Sequence, residues 1–276
     1  MSGMNKMGNR TKIIASIAIF SALYAVLRIM QTIPMIGAQG ASFSLSDVLA
    51  PLYGIILGPY VGGASVIIGT FLGMAMGKPV VFLGLDFLPA LINAVAIGFL
   101  VRRKWAPVVV LNAALLLAFV LNPVTSVFVN IPIGNTTYSL PFVWLHIVAF
   151  LVLVSPLGRR AGQWVSTLKP ARITVGLVVL AFVGTMMQHL MGNILFETVL
   201  AQPIGSIPTV AYSGIWTSIF LVYPFERLAL VVLAVVVGAP LVRVLKKSFF
   251  NDSKPQNPKA AEQNSQKPLT PNPTKN

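Results

Sequence analysis

Ser42-Phe-Ser-Leu-Ser-Asp-Val-Leu-Ala-Pro-Leu-Tyr-Gly54-Ile-Ile-Leu-Gly58-Pro59-Tyr-Val-Gly62-Gly-Ala-Ser65-Val-Ile-Ile-Gly69-Thr-Phe-Leu-Gly73-Met-Ala-Met-Gly77 is apolar almost throughout, yet small residues recur in it at every fourth position. Gly54, Gly58 and Gly62 form one ladder, and Ser65, Gly69, Gly73 and Gly77 form another. In water each such glycine weakens a helix by about 1 kcal/mol. In lipid the same residues let helix backbones approach closely and pack by dispersion. Gly58-Pro59 interrupts the run, because proline lacks an amide hydrogen and pushes the preceding residue out of helical geometry. The stretch therefore predicts a tight helical hairpin, 45–57 and 59–76, at the centre of a membrane bundle.

Composition points the same way. Of 276 residues, 56% are apolar and only 9% are charged, against about 25% charged in soluble domains. So few charges cannot cover a soluble surface of this size, and the chain reads as an all-α, multi-pass membrane protein, a compact bundle of six to eight transmembrane helices. Cysteine is absent, which excludes disulfides, thiolate metal sites and cysteine nucleophiles. Apolar runs suited to about 30 Å of hydrocarbon fall at 13–30, 45–57, 59–76, 85–101, 106–122, 140–157, 172–195 and 222–245. Segment 214–221 reads either as an extension of the last helix or as an interfacial piece before Pro224. The basic start leads into a run too long for a signal-peptide core, and that run is read as a retained helix.

The net charge of +14 reports topology. With the N-terminus inside, eight crossings put 17 of the 20 Lys and Arg on one side, leaving Arg28, Lys78 and Arg227 toward the other. Cytoplasmic loops of membrane proteins carry this excess, so both termini are expected in the cytoplasm and nucleic acid is not an expected partner. Trp105 and Trp164 then fall at the inner interface, with Trp144 and Trp216 near the outer one. The expected division is a basic N-terminus over 1–12, a helical membrane domain over 13–247 and a disordered tail over 248–276. That tail has almost no apolar content with which to fold. Asn135-Thr136-Thr137 is a glycosylation sequon on an expected outer loop.

Ionisable residues in a membrane segment are functional candidates by default. Asp47, after Ser44 and Ser46, and Asp86 stand at helix starts, where capping is the simpler role. Glu226 adjoins Arg227, so a local ion pair competes with pairing across helices. His189, Asn193 and Glu197 recur every four residues with Gln188 beside them, so one face of the seventh helix is polar near the outer end. That stripe lines an outward-facing pocket or bonds neighbouring helices. Arg28 either meets an anionic group on a ligand or snorkels to the interface, and Gln31 and Ser44 bound the loop that follows it. His146 reads as a structural hydrogen-bonder. No Walker lysine loop, His-Glu-x-x-His pair or Gly-x-Ser-x-Gly elbow is present, so neither an enzyme nor a metal site is expected.

Ser44-Leu-Ser-Asp-Val-Leu49, then Gly58-Pro-Tyr-Val-Gly-Gly-Ala64, then Ile68-Gly-Thr-Phe-Leu-Gly73 resembles the substrate-binding S components of energy-coupling factor (ECF) transporters. Ala18-Ile-Phe-Ser-Ala22 is similar to the family's Ala-x-x-x-Ala face, and Tyr223-Pro-Phe-Glu-Arg-Leu228 to the start of its last helix. The resemblance implies capture of a vitamin or related micronutrient under loop 31–44 on the outer face of the cell membrane. It implies docking of a transmembrane T component on Ala18 and Ala22. It also implies two ATPase subunits that consume ATP, since this chain binds no cofactor of its own. Gly54, Gly58, Gly62, Gly69 and Gly73 then serve helix packing. The family has six helices where eight runs are counted here, so 106–158 holds an added pair or some runs do not span. A self-sufficient secondary transporter or channel is the alternative reading, and the residues do not identify the substrate.

Overall fold

The computed structural model describes residues 2–167 and 169–251. Residues 252–276, most of the tail expected to be disordered, lie outside them. Eight helices make up the described chain: α1 Ser2–Ile29, α2 Leu49–Ala75, α3 Leu88–Val101, α4 Trp105–Val120, α5 Trp144–Val154, α6 Pro156–Trp164, α7 Pro170–Leu200 and α8 Tyr212–Asn251. Four strands join them: β1 Gln31–Pro34 pairs with β2 Ser42–Ser44, and β3 Phe128–Ile133 with β4 Thr136–Pro141, both antiparallel.

The hairpin forms as its sequence predicts. A straight helix would hold residues 53 and 62 about 13 Å apart along its axis. Instead, a Cβ on Gly62 would lie 2.7 Å from the Tyr53 carbonyl oxygen, so the two legs of α2 run side by side. The reversal sits at Gly58, whose φ of 77° and ψ of 179° is a conformation open essentially to glycine alone. Both neighbours then press onto the legs backbone to backbone. A Cβ on Gly54 would strike the Ala94 carbonyl of α3, one on Gly98 would strike Pro59, and one on Gly69 would lie 2.7 Å from Tyr24 of α1. Tyr53 closes the seam by donating its hydroxyl to the Phe20 carbonyl at 2.7 Å.

Among the described residues, four stretches are long and apolar enough to cross a membrane, Arg10–Ile29, Leu45–Ala75, Pro170–Leu200 and Thr209–Val244, although the second is folded back at Gly58 and does not cross as one straight helix. A fifth counts if α5 and α6 form one span bent by 69°. The bend has a local cause. Pro156 cannot continue α5, and Ser155 accepts the Leu157 amide at 3.1 Å to start α6 afresh. The chain is thus a multi-pass membrane protein with fewer self-evident spans than the eight read from hydropathy. At about 21 and 24 Å, α3 and α4 are short and packed on their neighbours.

One alternative left open by the sequence is decided, and two further expectations are corrected. Segment 214–221 belongs to α8, which runs through Pro224 without ending. The supposed loop 123–139 carries the β3–β4 hairpin, turned by Gly134-Asn135, so the chain is mostly rather than wholly helical. Trp216 is no interfacial anchor: it is fully buried and donates its indole N–H to the Val124 carbonyl at 2.9 Å.

The Gly58 turn and the start of α4 define one end of the bundle, and the two strand pairs the other. Around Trp216 at the strand end lie Phe119, Phe142 and Phe196, with ring centroids 5.5, 5.0 and 5.8 Å away. At the turn end, Arg102 lies 5.4 Å over Tyr60 and Arg159 4.3 Å over Trp105.

Candidate functional site

At the strand end α1, α3, α7 and α8 and the segments flanking α2 surround a pocket roofed by β1, β2 and the turn between them. The roof is shaped by two glycines at positive φ, Gly37 (84°) and Gly40 (72°). Gly37 rests on Phe196 of α7 and Ile215 of α8, where a Cβ would lie 2.9 Å from the Phe196 ring. Lys78, beyond the second leg of α2, holds the other side: its ammonium donates to the Ser42 carbonyl at 2.8 Å and the Ser42 hydroxyl at 3.0 Å. Burial pushes that ammonium below the ordinary lysine range; the Arg28 charge adds to the effect, while Asp47 and Asp86 oppose it.

The polar wall mixes committed and uncommitted groups. Asp47 accepts the Ser44 amide at 3.4 Å through one oxygen and the Gln188 amide nitrogen at 2.9 Å through the other. Gln188 in turn accepts from Asn93 at 2.8 Å, so a polar chain ties the turn just before α2 to α7 and α3. Asp86 caps no helix, because α3 starts after Phe87. Its carboxylate instead accepts the amides of Val81 and Phe82 at 3.0 and 3.1 Å, folding the α2–α3 loop back on itself. Glu226 is paired with its neighbour Arg227, whose guanidinium lies 4.9 Å over the Phe43 ring of the roof.

Arg28 is different. It is only 7% exposed, so it does not snorkel out, and its nearest acceptor is the Asp86 carbonyl at 3.5 Å. Its Nε has no partner, and neither does Nδ2 of Asn193, which lines the pocket from α7. A buried polar group without a partner is costly, and both residues line the same cavity, which makes it the candidate ligand site. The remaining walls are flat and apolar: Phe43, Phe82, Pro89, Phe196, Val222 and Tyr223.

Of the residues singled out in the sequence, Arg28, Ser44, Asp47, Asp86, Gln188, His189, Asn193 and Glu226 line this pocket, while Gln31 and Glu197 do not. Gln31 lies exposed in β1, and Glu197 turns to the Thr125 hydroxyl behind the pocket. Lys78, Phe43 and Arg227 join the lining. Lys78 had a signal, a lone cation in an otherwise uncharged outer loop, whereas Phe43 had none. Ala18 and Ala22 are exposed on α1. Among the described residues, no cluster of three or more His, Asp or Glu could hold a metal ion.

Residues 8–121 match the family model described as ECF-type riboflavin transporter, S component. Over that stretch the chain is similar to the S components of ECF transporters, the family its Gly-Pro hairpin resembles. The match takes in α1, the roof, the hairpin, α3 and α4, and with them Arg28, Asp47, Lys78 and Asp86; the α7 and α8 walls fall outside it. No curated protein and no solved structure matches the chain.

Proposed function

We propose that the chain is the membrane-embedded substrate-binding subunit of an ECF-type uptake transporter, and that its pocket takes riboflavin or a flavin of similar shape. The observation that carries this reading is the pocket itself: flat apolar and aromatic walls beside one polar wall where Arg28 and Asn193 keep unpartnered donors. A flavin ring is planar and largely apolar, with carbonyl and ring-nitrogen acceptors along one edge and a hydroxylated chain. Such pairing of an apolar slot with a few placed donors is how small-molecule sites hold and orient a ligand. The vitamin named in the family description supports the same choice.

In this reading the strand end faces outward and the turn end, with Arg102, Arg103, Lys104, Arg159 and Arg160, faces the cytoplasm, following the positive-inside rule. Ligand enters when the β1–β2 roof lifts. The chain has no nucleotide-binding motif, so import is driven by partner ATPases through a T component docked on the exposed Ala18 and Ala22 of α1.

The test is direct. The purified protein in lipid nanodiscs should quench riboflavin fluorescence saturably, with one site per chain. In proteoliposomes, uptake should need the T and ATPase subunits together with ATP. Replacing Ala18 and Ala22 together by Leu should abolish T-component association and leave riboflavin binding intact. Absence of binding would overturn the ligand assignment, and solute flux through this chain alone would favour the secondary-transporter reading.

A further inference from the structure

One buried pair is not used by that reading. His146 of α5 and His189 of α7 stack with ring centroids 5.2 Å apart and planes 9° from parallel, and Nε2 of His146 lies 3.1 Å from Nδ1 of His189. Tyr223 stacks on both, at 5.6 and 5.0 Å. Its hydroxyl is already donated to the Phe142 carbonyl at 2.8 Å, so it serves neither imidazole. His146 does not reach the pocket, but His189 lines it.

The protons can be placed by elimination. Nδ1 of His146 is fully buried and has no partner. If the bond ran from His189 to His146, a singly protonated His146 would carry its proton on that Nδ1 as an orphaned buried donor. A doubly protonated His146 would do the same. Orphaned buried N–H groups are rarer in proteins than under-used acceptors. The arrangement that avoids one leaves Nδ1 of His146 bare and makes its Nε2–H the donor. His189 must then accept at Nδ1 and carry its own proton on Nε2. That nitrogen has no protein partner among the described residues, and its ring borders the cavity.

We infer that His146 is a positioning residue: by donating to His189 it fixes the tautomer of His189, so that the pocket offers an N–H donor there to an acceptor atom of the ligand. Asn193, one helical turn on, lines the same cavity and carries an amide nitrogen without a partner. Together they make the α7 wall a two-donor edge about 6 Å long. Such an edge selects ligands with two acceptors along one side over isosteres that carry donors there. The inference rests on the proposed binding role of the pocket and names the donor set that role would use.

The chain contains only two histidines, so nitrogen-15 NMR of histidine-labelled protein in nanodiscs sees two rings, assigned by comparison with His146→Gln. His189 should show a bare Nδ1 and a protonated Nε2, and the reverse pattern overturns the inference whether or not the protein binds a flavin. Riboflavin affinity gives the second readout. His146→Phe keeps a flat ring but cannot donate, and should weaken binding roughly tenfold, as loss of one hydrogen bond does. His146→Gln, with an amide N–H, should recover most of that loss. Equal affinity in the Phe and Gln variants would mean that His146 only fills space and would overturn the inference. If wild-type protein shows the expected tautomer but no riboflavin binding, the ligand assignment fails and the positioning role stands.

Discussion

The α1–α3 region and the ring-filled region between α4, α5, α7 and α8 solve the same packing problem by opposite means. In the first, backbones touch: Gly54 lies against the Ala94 carbonyl, Gly69 against Ser21 and Tyr24, and Gly98 against Pro59. In the second, rings fill a wider gap between strand-end helices, with Phe119 and Phe142 touching each other and Trp216 touching both of them and Phe196. Backbone contact leaves no room for a cavity, and rings can surround one. The pocket accordingly sits on the boundary, taking charged groups from Arg28, Asp47, Lys78 and Asp86 on one side and rings, amides and the Glu226–Arg227 pair from α7 and α8 on the other.

The strongest way to break this contrast is to add bulk where there is none to spare. Gly54→Leu would drive a side chain into the α3 backbone, which cannot move aside as a flexible side chain can. Overpacking of a side-chain core costs about 1–3 kcal/mol; against backbone the expected outcome is no monodisperse protein on size-exclusion chromatography. Removing bulk from the ring region should cost less. Phe142→Ala opens a cavity beside Trp216 and His146, and should lower stability by about 3 kcal/mol, read as a fall in melting temperature with the folded protein still recoverable.

Truncation at the boundary should act on ligand rather than fold. Arg28→Ala removes a buried cation with loosely held hydrogen bonds, and riboflavin affinity should fall about 10- to 100-fold, since hydrogen bonds to charged groups contribute about 1.5–3 kcal/mol. A larger loss of stability than of affinity would place Arg28 with the packing residues. The smallest effect is expected at Lys78. Folding lowers its affinity for a proton, while the unfolded chain keeps the ordinary value of 10.5. Between the lowered value and 10.5 the unfolded state holds more protons, so this group's contribution to stability rises with pH and is flat below that window. Melting temperature followed from neutral to alkaline pH should therefore rise in wild type relative to Lys78→Met. Parallel profiles would mean that the ammonium is hydrated and the roof is not pinned as described.

How much of this was legible in the sequence follows the same boundary. The hairpin was, because Gly58-Pro59 and the glycine ladder act through backbone chemistry that neighbours in sequence determine. The local Glu226–Arg227 pair was open to view for the same reason. Gln188, His189 and Asn193 could be placed on one face by helical period alone, but that period put Glu197 with them, and only the packing of Thr125 shows that it faces elsewhere. The His146–His189 contact joins residues 43 positions apart and the Lys78–Ser42 contact residues 36 apart; no local pattern encodes either. The β3–β4 hairpin did carry a signal in the two-residue Gly134-Asn135 turn, masked because Asn135 also begins a sequon. Trp216 shows the limit of reading tryptophan as an interface marker, since burial depends on which rings surround it.

The Gly58 reversal has a consequence for how the protein is made. The leg over 45–57 is about 20 Å long, too short to cross about 30 Å of hydrocarbon by itself. Its Asp47 end also finds its partner Gln188 only when α7 arrives, 141 residues later. During synthesis that leg cannot leave the translocon for lipid as an independent span. It has to wait for the second leg and insert with it, and the buried carboxylate stays incompletely bonded until most of the chain has been translated.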